Sequence, residues 1–128
     1  MSDRKIVSTP NAPSAIGPYS QAVIAGGFVH CSGQIALDAK TGQLVGGDAA
    51  AQAERVMANL DAVLRAAGSS LKRAVKCGVY LKNMGDFAAV NEVYGRWVDA
   101  ESPPARATVE VARLPKDVLV EVDCVALA

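Results

Sequence analysis

Between Ala49 and Ala67 the sequence carries one long amphipathic helix pattern, and that pattern sharply limits how the chain can fold. Ala53, Val56, Met57, Leu60, Val63, Leu64 and Ala67 recur at three- and four-residue spacing and make one face. Gln52, Glu54, Arg55, Asn59, Asp61 and Arg65 lie opposite. Asp48 is placed to cap the helix at its start, and Gly68 to stop it at its end. A helix with a single apolar stripe must rest on a second layer, and the flanking segments nominate a sheet.

Those segments alternate as strands do. "RKIVST" suggests a short first strand, and "QAVIAGGFVHCSGQIAL" two strands joined in a hairpin at Gly26-Gly27. "AVKCGVYLK" makes a further strand. A second helix is expected from about Gly85 to Asp99, with Phe87, Val90, Tyr94 and Trp97 on one side. Strands are then expected at 105–112 and 118–126, turned on each other by "RLPKD" as a second hairpin. Residues 1–128 therefore read as one α+β domain with its helices on one sheet face. A domain of this length buries roughly 65–70% of the surface of its unfolded chain, so no metal or disulfide is needed for a core.

The alternation also assigns faces. In 105–111, Ala105, Ala107, Val109 and Val111 point one way and Arg106, Thr108 and Glu110 the other. In 118–126 the apolar row is Val118, Val120, Val122, Cys124 and Ala126, with Glu121 and Asp123 opposite. The apolar rows are expected in the core. The other face would then carry a guanidinium, a hydroxyl and several carboxylates, and would be wet or line a site.

Charge and cysteine content narrow the function. There are 13 basic and 13 acidic residues, for a formal net charge of zero. A nucleic-acid binder normally shows a basic excess or stripe, so no nucleic-acid partner is expected. A near-neutral chain has little charge repulsion to oppose self-association. Cys31, Cys77 and Cys124 are scattered, with no CxxC and no Cys/His cluster, as suits buried small side chains in a reducing compartment. The segment "MSDRKIVSTP" lacks the apolar run of a signal peptide, and no stretch has the length of a membrane span. A soluble cytoplasmic protein with no membrane partner is the expectation.

The candidate site residues come from three stretches. In "SPPARATVEV" the prolines Pro103 and Pro104 stiffen the approach to Arg106. Arg106 can be a surface arginine, paired along its own strand with Glu110, or an anion receptor whose planar fork grips a carboxylate. In "AIGPYSQA" a Gly-Pro turn presents Tyr19, which covers the hairpin edge or walls a pocket with its hydroxyl free. In "HCSGQ" a glycine within a strand pattern marks a bulge, where Ser32 and Gly33 could meet a ligand. Asn91 sits at the edge of the Phe87/Tyr94 face. His30 is the only histidine, so no His-based metal site or Ser-His-Asp relay can be assembled. Neither "AGGF" nor "VGGD" matches a nucleotide-binding loop. With no metal, no cofactor and no nucleophile–base pair, the chemistry open to this chain is undemanding: bind an anion, position water, move a proton.

Together "NAPSAIGPYSQA", "CSGQIALDAKTG" and "PPARATVEVARLPKDVLVEVDCVA" closely resemble the RidA (YjgF-type) family, over about residues 4 to 127. The resemblance implies a chorismate-mutase-like homotrimer of subunits with one mixed or antiparallel six-stranded sheet and two helices on one face. It implies clefts between subunits, and hydrolysis of small 2-imino acids to 2-oxo acids and ammonia without cofactor or metal. Residue by residue, it implies that Arg106 grips the substrate carboxylate, that Tyr19 lines the cleft, and that Glu121 lies near the hydrolytic water. Ser32, Gly33, Asn91 and Thr108 would contact substrate. Many bacterial members have a cysteine where this chain has Thr108, so a role that needs that thiol has no support here. A non-catalytic trimer that binds small carboxylates, or a holdase, is the alternative; RNA cleavage or translation inhibition fits the balanced charge poorly.

Overall fold

In a computed structural model of the chain, which describes residues 3–128, the helix pattern becomes α1 (Ala49–Ala66). Asp48 caps it: a side-chain oxygen accepts from the Ala51 N–H at 2.9 Å. At the other end Gly68 takes φ +82°, a left-handed value that glycine adopts without Cβ strain. The N–H of Gly68 donates to the Arg65 carbonyl and that of Ser69 to the Leu64 carbonyl, the two bonds of a Schellman stop. Asn59 departs from the expected polar face. It is buried, and its Nδ2 donates to the Ile35 and Leu37 carbonyls, so it ties α1 to the loop after the third strand.

The strands are β1 (Lys5–Val7), β2 (Ala22–Ala25), β3 (Phe28–Gln34), β4 (Ala74–Leu81), β5 (Ala105–Glu110) and β6 (Val120–Leu127). The second helix, α2 (Phe87–Trp97), follows a 3-10 turn over Met84–Asp86. At the first hairpin Gly26 and Gly27 both have positive φ, as a two-residue type I′ turn requires, and Ala25 pairs with Phe28. All six strands form one mixed sheet in the order β1-β2-β3-β6-β4-β5.

The expected second hairpin does not form. β5 pairs with β4, in parallel, and β6 inserts between β3 and β4, antiparallel to both. The reason lies in α2: a strand, a covering helix and a second strand make a crossover unit, which returns the chain parallel to where it began. "RLPKD" then carries the chain past β4 rather than folding it back on β5. Its Lys116 and Asp117 both have positive φ (56° and 55°), and Arg113 grips Asp117 through two hydrogen bonds.

Both helices cover the same face of the sheet. Met57, Leu60, Val63 and Leu64 of α1 pack with Val29, Val79, Leu81, Val120 and Val122, all essentially inaccessible. Each such side chain contributes about 1.5–3 kcal/mol relative to exposure. In β6 the expected faces hold, with Glu121 and Asp123 away from the helices. In β5 they are reversed. The register sets Arg106 beside Cys77 and Thr108 beside Val79, so both point to the helix side. Ala105, Ala107 and Val109 lie on the uncovered face, where Val109 is 44% exposed. Period-two alternation separates two faces; it does not say which one the helices cover.

Candidate active site

The residues nominated from sequence gather in two groups, one on each face of the sheet. On the uncovered side an open cleft of about 630 Å³ is lined by Tyr19, Ser32, Gly33 and Glu121, together with Gln21, Pro115 and Lys116. Its wall is built from the 9–21 segment. Buried Gln21 holds that segment through its side chain, which accepts from the Thr9 N–H at 2.7 Å and donates to the Pro13 carbonyl at 2.8 Å. Tyr19, 52% exposed, stands at the rim beyond Gly17, whose φ of +120° makes the turn.

Ser32 is not free to donate to a ligand: its hydroxyl donates to the Ser20 carbonyl at 2.6 Å, and its N–H to the Gln21 carbonyl at 3.0 Å. It is a brace between β3 and the Tyr19 loop. β3 bulges between Cys31 and Gln34, as the glycine suggested. Gly33 is needed for space. A Cβ there would run into the Glu121 carboxylate, with the carboxyl carbon 2.9 Å away. Glu121 is half-buried in the cleft wall. Burial, and then the charge of Asp123, raise its carboxyl above the ordinary glutamate range. Asp123 itself accepts from the Tyr80 hydroxyl at 3.0 Å.

On the helix side, Arg106 is held by α2. Its Nη1 donates to Asn91 Oδ1 at 2.6 Å, and the guanidinium carbon lies 4.9 Å from the Tyr94 ring centre and 5.6 Å from that of Phe87. Ring faces attract a guanidinium and restrict its plane. Glu110 does not pair with it; a Glu110 oxygen accepts from the Met84 N–H at 2.8 Å instead. Among the described residues no carboxylate comes within salt-bridge distance of Arg106. The Thr108 hydroxyl is buried in the same small cavity with no hydrogen-bond partner among the described residues. The Tyr94 hydroxyl is likewise buried and unpartnered, and desolvation pushes its phenol up.

Sequence reasoning places Asn91 at the edge of the Phe87/Tyr94 face and misses that the two rings bracket Arg106. The signal is present in the three- and four-residue spacing of Phe87, Asn91 and Tyr94, which sets all three on one side of a helix. Lys116 and Pro115 are also missed, because "RLPKD" reads as a hairpin turn remote from any site. No group of three or more His, Cys, Asp or Glu residues is arranged to hold a metal ion among the described residues, and none of the described helices is long and apolar enough to cross a membrane.

Comparison with known proteins agrees with the motifs. The model of the endoribonuclease L-PSP family matches residues 9–128. A RutC family protein of Synechocystis is 54% identical over 124 residues, covering 96% of this chain and 95% of that protein. The 2-iminobutanoate/2-iminopropanoate deaminase of Bos taurus is 44% identical over 124 residues, covering 97% and 90%. Among solved structures, that of E. coli TdcF with bound serine superposes with a TM-score of 0.89 at 41% identity, covering 97% of this chain and 98% of that one. Motifs, fold and near-full-length identity converge: the chain belongs to the endoribonuclease L-PSP family, the RidA (YjgF-type) family.

Proposed function

We propose that the chain is a cofactor-independent deaminase that hydrolyses small 2-imino acids, of the kind released by pyridoxal-phosphate-dependent dehydratases, to 2-oxo acids and ammonia. It would do so as a homotrimer with its sites between subunits. The observation that carries this reading is Arg106: a guanidinium with no carboxylate partner, oriented by Asn91 and two aromatic rings. Such a group is preorganised to receive a small carboxylate, and little entropy is lost when it does. The deaminase name of the bovine relative and the serine bound to TdcF support the same substrate class.

The chemistry follows from the two halves. Arg106 takes the substrate carboxylate, with Asn91 steadying the guanidinium and Thr108 supplying a hydroxyl. Tyr19, Gly33 and Glu121, from the cleft of a neighbouring subunit, enclose the imine carbon. A protonated imine is already electrophilic, so fixing it beside a water removes much of the entropic barrier. Water adds to the carbon and its proton passes to Glu121. The carbinolamine nitrogen takes that proton back from Glu121; the C–N bond then breaks as the hydroxyl oxygen becomes the carbonyl and passes its proton to Glu121, so that ammonia and a 2-oxo acid leave. A carboxylate whose carboxyl is raised above its ordinary range is the stronger base for that proton.

The test traps the imine. An amino-acid oxidase generates imino acids in the presence of semicarbazide, and semicarbazone formation is followed with wild-type protein or Arg106→Ala. Suppression by wild type and not by the variant is expected. No suppression by wild type across a panel of imino acids would overturn the deaminase reading and leave a carboxylate-binding trimer.

A further inference from the structure

The three cysteines, scattered in sequence, are gathered by the sheet. β3, β6 and β4 are adjacent, and the register pairs Cys31 with Cys124 and Cys124 with Cys77. The thiols therefore form one row on the helix-covered face, and the row ends at Arg106, the β5 partner of Cys77. All three are free thiols.

The members of the row differ in access. Cys77 and Cys124 are buried, whereas Cys31 is only partly so. Cys31 also stands where the ladder loosens, since the β3 bulge begins there. Directly opposed residues on antiparallel strands have Cα atoms about 4.5–5.5 Å apart, within the about 4.4–6.8 Å that a disulfide spans. As a directly opposed pair, Cys31 and Cys124 direct their side chains to the same, helix-covered side of the sheet. Cys77 and Cys124 are spaced as well, but neither has a partly exposed thiol with which to meet an oxidant.

We propose that Cys31 and Cys124 are a redox-active pair that closes to a disulfide when a hydroperoxide reaches Cys31, with Cys77 left as a thiol. In the first step the Cys31 sulfur attacks a peroxide oxygen and the O–O bond breaks. Water or an alcohol departs, and Cys31 becomes a sulfenic acid. The Cys124 sulfur then displaces the hydroxyl, which leaves as water with the Cys124 thiol proton, and the S–S bond forms. Two thiols lose two electrons in all, and the peroxide gains them. The second step is the slow one. The Cys31 thiol beside it, together with burial, raises the Cys124 thiol, so its thiolate is scarce.

The test uses the purified full chain and hydrogen peroxide, and is independent of the deaminase reading. After treatment, remaining thiols are alkylated under denaturing conditions, and a non-reducing digest is mapped by mass spectrometry. The expected product is an intrachain peptide pair linked through Cys31 and Cys124, with alkylated Cys77, reversed by dithiothreitol. Cys31→Ser abolishes the link and Cys77→Ser retains it, so the assignment does not depend on Cys124→Ser folding. The urea midpoint of oxidised wild type shifts upward, and that of Cys31→Ser does not. Stable sulfinic acid at Cys31 without a link, a link to Cys77, a link between chains, or three unmodified thiols would each overturn the proposal.

Discussion

The guanidinium of Arg106 and the carboxylate of Glu121 stand on opposite faces of one sheet, two strands apart. A single chain cannot aim both at one small molecule. The apolar row Ala105, Ala107 and Val109 is left uncovered beside them, a surface that a neighbouring subunit would bury. The proposed sharing of sites between subunits rests on this geometry.

Sharing makes a prediction that single variants cannot. Arg106→Ala and Glu121→Gln are each expected to be inactive as homotrimers. Denatured together in equal amounts and refolded, they should recover about a quarter of wild-type activity, the chance that a shared site draws both intact residues in a cyclic trimer. Zero recovery from mixed trimers, their composition verified by native mass spectrometry, would mean that no site is built across the interface.

Tyr94 should act through Arg106. Tyr94→Phe keeps the ring face and is expected to leave KM within about twofold of wild type, whereas Tyr94→Leu should raise KM by about 2- to 30-fold, the range of a cation–π contact. Steady-state kinetics with a small imino acid decides the matter. A fall in kcat at unchanged KM would instead place Tyr94 in the chemical step.

Glu121→Gln should trade stability against activity. The folded-state carboxyl of Glu121 is raised, so between its ordinary value and the folded value the native chain binds more protons than the unfolded chain. Stability therefore falls as pH rises through that window and stays lower above it. The glutamine variant should lose this decline and unfold at higher urea near neutral pH, while imine hydrolysis drops by about 10²-fold or more. Urea titrations at several pH values, paired with the trapping assay, test both halves.

Gly33→Ala is expected to damage the site more than the fold. The new methyl would meet the end of the flexible Glu121 side chain, which can swing away at little cost to packing. Activity should fall steeply while the thermal midpoint moves by only a few degrees, for a change of about 1 kcal/mol in a domain of this size. An active variant would show that the Glu121 carboxylate does not need its observed position.

Asp48→Ala tests the helix reading alone. Loss of the bond to the Ala51 N–H should cost about 1 kcal/mol in urea unfolding, with hydrolysis unchanged.

Local features are legible in the sequence by itself. The stripe of α1, its Asp48 cap and Gly68 stop, the Gly26-Gly27 hairpin and the bulge at Gly33 each depend on residues within a few positions of one another. Their physics is complete in a short stretch of chain. The nomination of Arg106 as a candidate is local too, since prolines before a lone arginine at a strand mouth can be read directly.

What only the tertiary structure decided is everything set by strand order. The placing of β6 between β3 and β4, the turning of Arg106 and Thr108 toward α2, the opposite facing of Glu121 and the alignment of Cys31, Cys124 and Cys77 follow from pairings between distant segments. Alternation with period two is unchanged when a strand is moved to another neighbour or its two faces are exchanged. The choice is made by the burial of whole layers, to which each strand contributes only a part.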